Sequence, residues 1–161
     1  MPLITLHTNI KSTPKIVFDL SRSIGLHKIS TAKTNEDAVA GVTSGLIGMG
    51  EWVTWRAKHL GVYQQLTSKI TEYSRPDYFV DEMQKGIFKR FKHQHLFKDL
   101  GDSTLMTDIF DYDSPLGVLG KIADIVFLKK YMTRLLLHRN QIIKNYAESG
   151  QWKNILPADD S

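Results

Sequence analysis

The sequence predicts an α+β fold in which a curved antiparallel sheet of about six strands wraps a long C-terminal helix, with two short helices after the first strand. Three observations predict it. Residues 115–147, PLGVLGKIADIVFLKKYMTRLLLHRNQIIKNYA, form one apolar-periodic run, about 50 Å long if fully helical. Residues 51–112 read as strand after strand, and residues 3–10 alternate between two faces. On a helical wheel Ile122, Ile125, Val126, Met132, Leu136 and Ile143 share one side of the long run, opposite Lys130, Arg134, Gln141 and Glu148. That side needs a broad apolar partner, and the preceding strands supply it.

In chain order, LITLHTNI (3–10) is the first strand, with Ile4, Leu6, Thr8 and Ile10 on one face. Ser12 or Thr13 caps a helix that starts at Pro14, where a missing amide proton costs nothing, and Gly25 is placed to stop it. Thr34 and Asn35 ahead of Glu36 and Asp37 read as a second helix start. Gly41, Gly45, Gly48 and Gly50 then weaken any helix and predict a mobile passage into the sheet that opens an interior cavity. The strand segments are EWVTWRAKHL, GVYQQLTSKITEY, DYFVDEMQKG, FKRFKHQHLFKDL and STLMTDIFDY, separated by Gly61, Arg75-Pro76-Asp77, Gly86 and Gly101-Asp102. Tight turns between successive strands make an antiparallel meander.

The 161 residues suit one domain, residues 1–156, with 157–161 as a short loose tail. A 42% hydrophobic and 24% charged composition is that of a soluble globular chain, and a formal charge of +4 is a mild bias. There are no cysteines, which excludes disulfide and thiolate chemistry. The N-terminal residues lack the basic start, apolar core and cleavage site of a signal peptide, and charges interrupt every apolar run. The expectation is a cytoplasmic protein without stable membrane insertion. The glycines match neither a P-loop nor a dinucleotide fingerprint.

The segments VTWRAKHLGV (53–62), LTSKITEYSRPDYFVDEM (66–83), FKRFKHQHLF (88–97) and DYDSPLGVLGKIADIVFLKKYM (111–132) resemble corresponding stretches of bacterial SRPBCC proteins. That superfamily gathers START domains, polyketide cyclases and dehydrases, and pollen-allergen-like carriers. The resemblance implies the helix-grip fold and a hydrophobic or amphipathic cavity between sheet and helix that holds a small organic molecule or lipid. It does not imply a reaction.

Candidate site residues follow from strand alternation. Phe91, His93, His95 and Phe97 share one face of their strand, against Arg90, Lys92, Gln94 and Leu96. His93 and His95 as H-x-H can approach a metal with Asp81, Glu82 or Asp108 as the oxygen ligand. Lacking a third fixed ligand, the pattern points more strongly to histidines hydrogen-bonded to those carboxylates, and no metal or cofactor is expected. A His93 or His95 pair with Asp81 or Glu82 reads first as an interior salt bridge or a surface cross-strand pair, and alternatively as a general base on an enolisable substrate. Strand 77–85 carries a carboxylate on each face, so the pattern leaves its inward side open.

Trp55 shares a face with Val53 and Ala57, which brings His59 to the cavity mouth and sends Trp52 and Arg56 outward. The indole either lines the cavity or is plain core. Lys129 and Arg139 lie near the apolar stripe of the helix and either meet a ligand anion or run their stems along the core. Lys130, Arg134, His138 and Lys144 form a basic ridge. The basic and aromatic residues of FKRFKHQH separate onto opposite faces, which argues against nucleic acid.

The functional expectation is binding of a hydrophobic or amphipathic small molecule by Val53, Trp55, Met83, Phe91, His93, His95, Phe97, Ile122, Ile125, Val126 and Met132. The alternatives are a cyclase-, dehydratase- or hydrolase-like enzyme using a His–carboxylate pair from His93, His95, Asp81 and Glu82, and regulation of a partner protein through the surface. A monomer is compatible with the pattern, as is a homodimer paired along the edge of strand 3–10.

Overall fold

The computed structural model describes residues 2–114, 122 and 127–158. The residues expected at the start of the long helix, including Ile125 and Val126, lie outside the described residues. The sheet has seven strands: β1 (Leu3–Ile10), β2 (Asp37–Gly41), β3 (Trp52–His59), β4 (Val62–Ser74), β5 (Tyr78–Lys85), β6 (Arg90–Asp99) and β7 (Thr104–Asp113). They are ordered β1-β7-β6-β5-β4-β3-β2, every pair antiparallel. The sequence predicts the meander β3–β7 to within a few residues, because each strand alternates and each turn carries its own Gly or Pro signal.

Among the described residues the main helices are α1 (Pro14–Ser21), α2 (Ile24–Ser30) and α3 (Lys129–Ser149). Thr13 caps α1 by accepting from the Ile16 amide, and Pro14 takes its first position. The first helix ends before Gly25, which lies inside the first turn of α2. Ser23 caps α2 by accepting from the Leu26 amide at 3.2 Å. The helix start expected at Thr34 is corrected: Asn35 adopts a left-handed φ of 50° that ends a short 3-10 turn, and Asp37–Gly41 is the edge strand β2. This strand raises the count from the six expected.

The inner sheet face carries two apolar clusters. Phe18 of α1 packs edge-on against Tyr73, Phe79 and Phe97 at centroid distances of 5.2–5.3 Å. Ile4, Phe88, Phe91, Phe110, Tyr112 and Leu136 make the second cluster, with Met83 and Met132 against it. Asp19 of α1 pairs with Arg22 and with Arg75 from the β4–β5 turn, fixing the helix to the sheet end. Register shifts at Thr67/Ser68 and Ile70/Glu72 mark bulges in β4, the device that bends a strand over a curved core. Gly150, in the left-handed region, terminates α3.

The glycine-rich segment expected to be mobile is tied to the helices by backbone bonds. Ile24 N–H donates to the Gly45 carbonyl at 2.9 Å and Ile47 N–H to the Arg22 carbonyl at 3.2 Å. Gly41, at φ 75°, lies so close to β3 that an added Cβ would stand 2.2 Å from the Trp52 carbonyl oxygen, whereas Gly45, at φ 74°, has open space around it. Gly45→Ala is therefore expected to cost about 1–2 kcal/mol, the left-handed penalty alone. Gly41→Ala is expected to cost clearly more, measured by urea denaturation; equal losses would contradict the close approach.

Candidate functional site

Neighbouring strands deliver the site through their register. Asp81 of β5 stands opposite His93 of β6, and His95 of β6 stands opposite Phe79 on one side and Asp108 of β7 on the other. Because side chains alternate with period two, Phe79, Asp81, His93, His95, Asp108 and Phe110 all face the core. The inward side of strand 77–85 is thus the Asp81 side. Glu82 is removed from the candidates: it pairs in register with Lys92 on the opposite face.

His93 Nε2 donates to Asp108 Oδ1 at 2.9 Å, and His95 Nε2 donates to Asp81 Oδ2 at 2.8 Å. His95 Nδ1 lies 3.1 Å from Asp108 Oδ1 without the alignment of a hydrogen bond, and His93 Nδ1 is 4.0 Å from Asp81 Oδ2. The two imidazoles overlap at 3.8 Å between centroids. Phe79 stacks on His95 at 4.2 Å, and Phe110 meets His93 edge-on at 5.2 Å. The histidines are therefore wedged between aromatic rings as well as hydrogen-bonded.

Helix α3 closes the cluster from above. Asn140 Nδ2 donates to Asp108 Oδ2 at 2.6 Å, and Arg139 donates to the Ser21 carbonyl at 3.0 Å while its guanidinium stands 3.5 Å from Asp108 Oδ1. Arg139 is the buried cation of the helix; Lys129 is exposed. Lys130, Arg134 and His138 of the basic ridge are also exposed, and Lys144 is tied to the Asn9 carbonyl and Glu148.

A cavity of about 120 Å³ lies beside the cluster, lined by Val53, Trp55, Ile70, Phe79 and Leu136 and by the polar Asp81, His93, His95 and Arg139, among others. Trp55 is 8% exposed and its ring lies 4.2 Å from that of His27 on α2, so the indole is both core and lining. Met83, Phe91, Phe97 and Met132 face inward but pack in the apolar clusters rather than on this wall. Ile122, expected inward, is 60% exposed. His59 does not reach the cavity; its Nδ1 bonds the Tyr131 hydroxyl at 2.7 Å and ties β3 to α3. His27, Ile70 and Leu136 were not singled out by the sequence as lining. Leu136 and Ile70 had the alternation or periodicity to be found; His27, on a seven-residue helix, had no signal.

A larger open groove of about 630 Å³ runs past α1, bounded by Thr13, Lys15, Trp152 and Leu156. It holds none of the histidine cluster, and its carboxylate, Asp19, is already paired with Arg22 and Arg75.

The electrostatics separate the two histidines. Burial and the neighbouring His95 charge hold His93 below its ordinary 6.5, outweighing its bond to Asp108. Burial also pushes His95 down, but the two carboxylates it faces, Asp108 and Asp81, raise it overall. Burial pushes Asp108 up, yet His93, His95 and Arg139 hold it well below 3.8; at the half-buried Asp81 the same upward push of burial is outweighed by His95 and His93, which lower it.

Both carboxylates thus contribute stability that is complete above pH 3.8 and is lost as the pH falls below it. His95 contributes stability complete below pH 6.5 and lost as the pH rises through its raised value, while His93 contributes the opposite, complete above 6.5. Imidazole carbon-13 shifts are expected to show His95 titrating above 6.5 and His93 below it, with the upper step missing in His95→Gln. A shared midpoint, or the reverse order, would contradict this arrangement.

No family model matches the chain, and no curated protein matches it. Solved structures do. A START superfamily protein from Mycobacterium smegmatis superposes with a TM-score of 0.69 at 14% identity, covering 91% of this chain and 97% of its own. Ginseng major latex-like protein 151 from Panax ginseng gives 0.67 at 18% identity, covering 91% and 97%. A protein from Thermus thermophilus gives 0.69 at 16% identity, covering 88% and 97%. Identities this low speak for architecture alone: the chain has the helix-grip fold that START-superfamily and major latex-like proteins share.

Proposed function

We propose that the chain binds a compact hydrophobic or amphipathic small molecule in the cavity between its sheet and α3. The observation that carries this reading is the division of the cavity wall: Val53, Trp55, Ile70, Phe79 and Leu136 are apolar, while Asp81, His93, His95 and Arg139 form a polar floor. Apolar walls supply affinity at about 25 cal/mol per Å² buried, and a few convergent polar groups fix orientation. At about 120 Å³ the cavity suits a ring-sized group or a chain end rather than a whole lipid. The helix-grip fold supports a cavity-based role, as the sequence resemblance implies.

A second reading, cyclase- or dehydratase-like acid–base chemistry in the same cavity, is favoured by one observation. His93 and His95 share one wall with their rings 3.8 Å apart, and their surroundings push them in opposite directions, His93 below 6.5 and His95 above it, the separation that an acid–base pair needs. In that reading His95→Gln abolishes turnover but leaves ligand bound.

Native mass spectrometry of protein from its own host is expected to show a small-molecule adduct at near-stoichiometric occupancy. Val53→Phe, which fills the cavity, is expected to lose the adduct at least tenfold while keeping a native circular dichroism spectrum, and the outward Trp52→Phe to retain it. A ligand-free wild type, or an adduct that survives Val53→Phe, would contradict the binding reading.

A further inference from the structure

The two histidines present their nitrogens in a consistent order. One nitrogen of each ring, His93 Nε2 and His95 Nδ1, faces the same oxygen, Asp108 Oδ1, at 2.9 and 3.1 Å. The other nitrogen of each, His93 Nδ1 and His95 Nε2, faces Asp81 Oδ2 at 4.0 and 2.8 Å. Asp81, His93 and His95 can each offer one ligating atom, all within 4.8 Å of one another. The sequence pattern lacked a third fixed ligand; the β5–β6 register supplies it.

We propose that Asp81 Oδ2, His93 Nδ1 and His95 Nε2 form a binding site for a divalent first-row transition ion such as Zn2+, with Asp108 as the buried carboxylate that orients both imidazoles.

The arrangement meets the requirements of such a site separately from the ligand reading. Two imidazoles and a carboxylate are the nitrogen and oxygen donors these ions prefer. A ligating histidine ordinarily donates its remaining N–H to a carboxylate, and here one oxygen is placed to receive both. Asp108 is fully buried, held by Asn140 and faced by Arg139, so its position is fixed before any ion arrives. Arg139 offsets Asp108, which leaves the Asp81 carboxylate facing the ion, and the ion takes the place of the proton on His95 Nε2. All three ligating residues lie on the wall of the 120 Å³ cavity, so three protein atoms leave the next coordination position open to it. The geometry needs two adjustments: closure of His93 Nδ1 toward Asp81 from 4.0 Å, and a turn of the His95 ring that aligns its Nδ1–H, now 3.1 Å away, on Asp108 Oδ1.

The test uses the full-length chain, stripped with a chelator and titrated with Co2+ and Zn2+. A single Co2+ per chain with the visible absorption of a low-coordinate site is expected, displaced by Zn2+. Asp81→Asn and His95→Gln are expected to abolish it, Asp108→Asn to weaken it roughly 10–100-fold, and Glu82→Gln, on the opposite face, to leave it unchanged. In the wild type, long-range nitrogen-15 spectra of the zinc form are expected to place the ion on His93 Nδ1 and His95 Nε2, a readout that needs no variant to fold. No stoichiometric ion, a spectrum unaltered in Asp81→Asn, or an ion on the opposite nitrogens would overturn the proposal. Because these readouts involve no organic ligand, an ion-binding failure leaves the cavity reading standing, and the reverse holds.

Discussion

The carboxylate of Asp108 is the constraint on which the rest of the site depends. It is fully buried, and an isolated charge there would cost several kcal/mol. Four side chains offset that cost: His93 and His95 from the neighbouring strand, and Asn140 and Arg139 from α3. These partners come from a sheet and a helix far apart in sequence. Satisfying one carboxylate therefore sets the β6–β7 register, since a slip of one residue would turn Asp108 outward and take from His93, Asn140 and Arg139 the carboxylate they share. It also fixes the height at which α3 crosses the sheet.

The cavity is a consequence of the same constraint. Below the polar cluster the sheet closes on Phe88, Phe91, Phe110 and Tyr112, and above it on the Phe18 cluster beneath α1. Between these two packed regions the wall is made of imidazole, carboxylate and guanidinium, which keep fixed hydrogen-bond geometry and do not collapse into a neighbouring gap as aliphatic chains would. The space left over is small and polar on one side. Helix-grip architecture thus supplies the enclosure, and the Asp108 network supplies its chemistry.

Much of this was legible because alternation is a strong signal where one sheet face is buried. Phe91, His93, His95 and Phe97 are all buried, as their spacing required, and the Val53–Trp55–Ala57 face points inward. Strand Asp77 to Lys85 was ambiguous because Asp81 and Glu82 place a carboxylate on each face, and only the pairing with His93 and His95 decides between them. Strand β2 was hidden by its five-residue length and its terminal glycine, and the Thr34-Asn35 helix signal was defeated by the left-handed backbone of Asn35. Asn140 carried no signal at all. A polar residue on an amphipathic helix reads as surface, and its burial at 1% exposure is intelligible only once Asp108 is seen beneath it.

A double-mutant cycle on Asp108 and Arg139 tests the central role of this network most directly. Asp108→Asn or Arg139→Met alone leaves one buried charge without its counterpart, whereas the double variant removes both. Measured by urea denaturation at neutral pH, the double variant is predicted to be more stable than the sum of the single losses by about 1–3 kcal/mol. Losses that add to within about 0.5 kcal/mol would contradict the account, because the helix and the sheet would then be held together without the carboxylate at their junction.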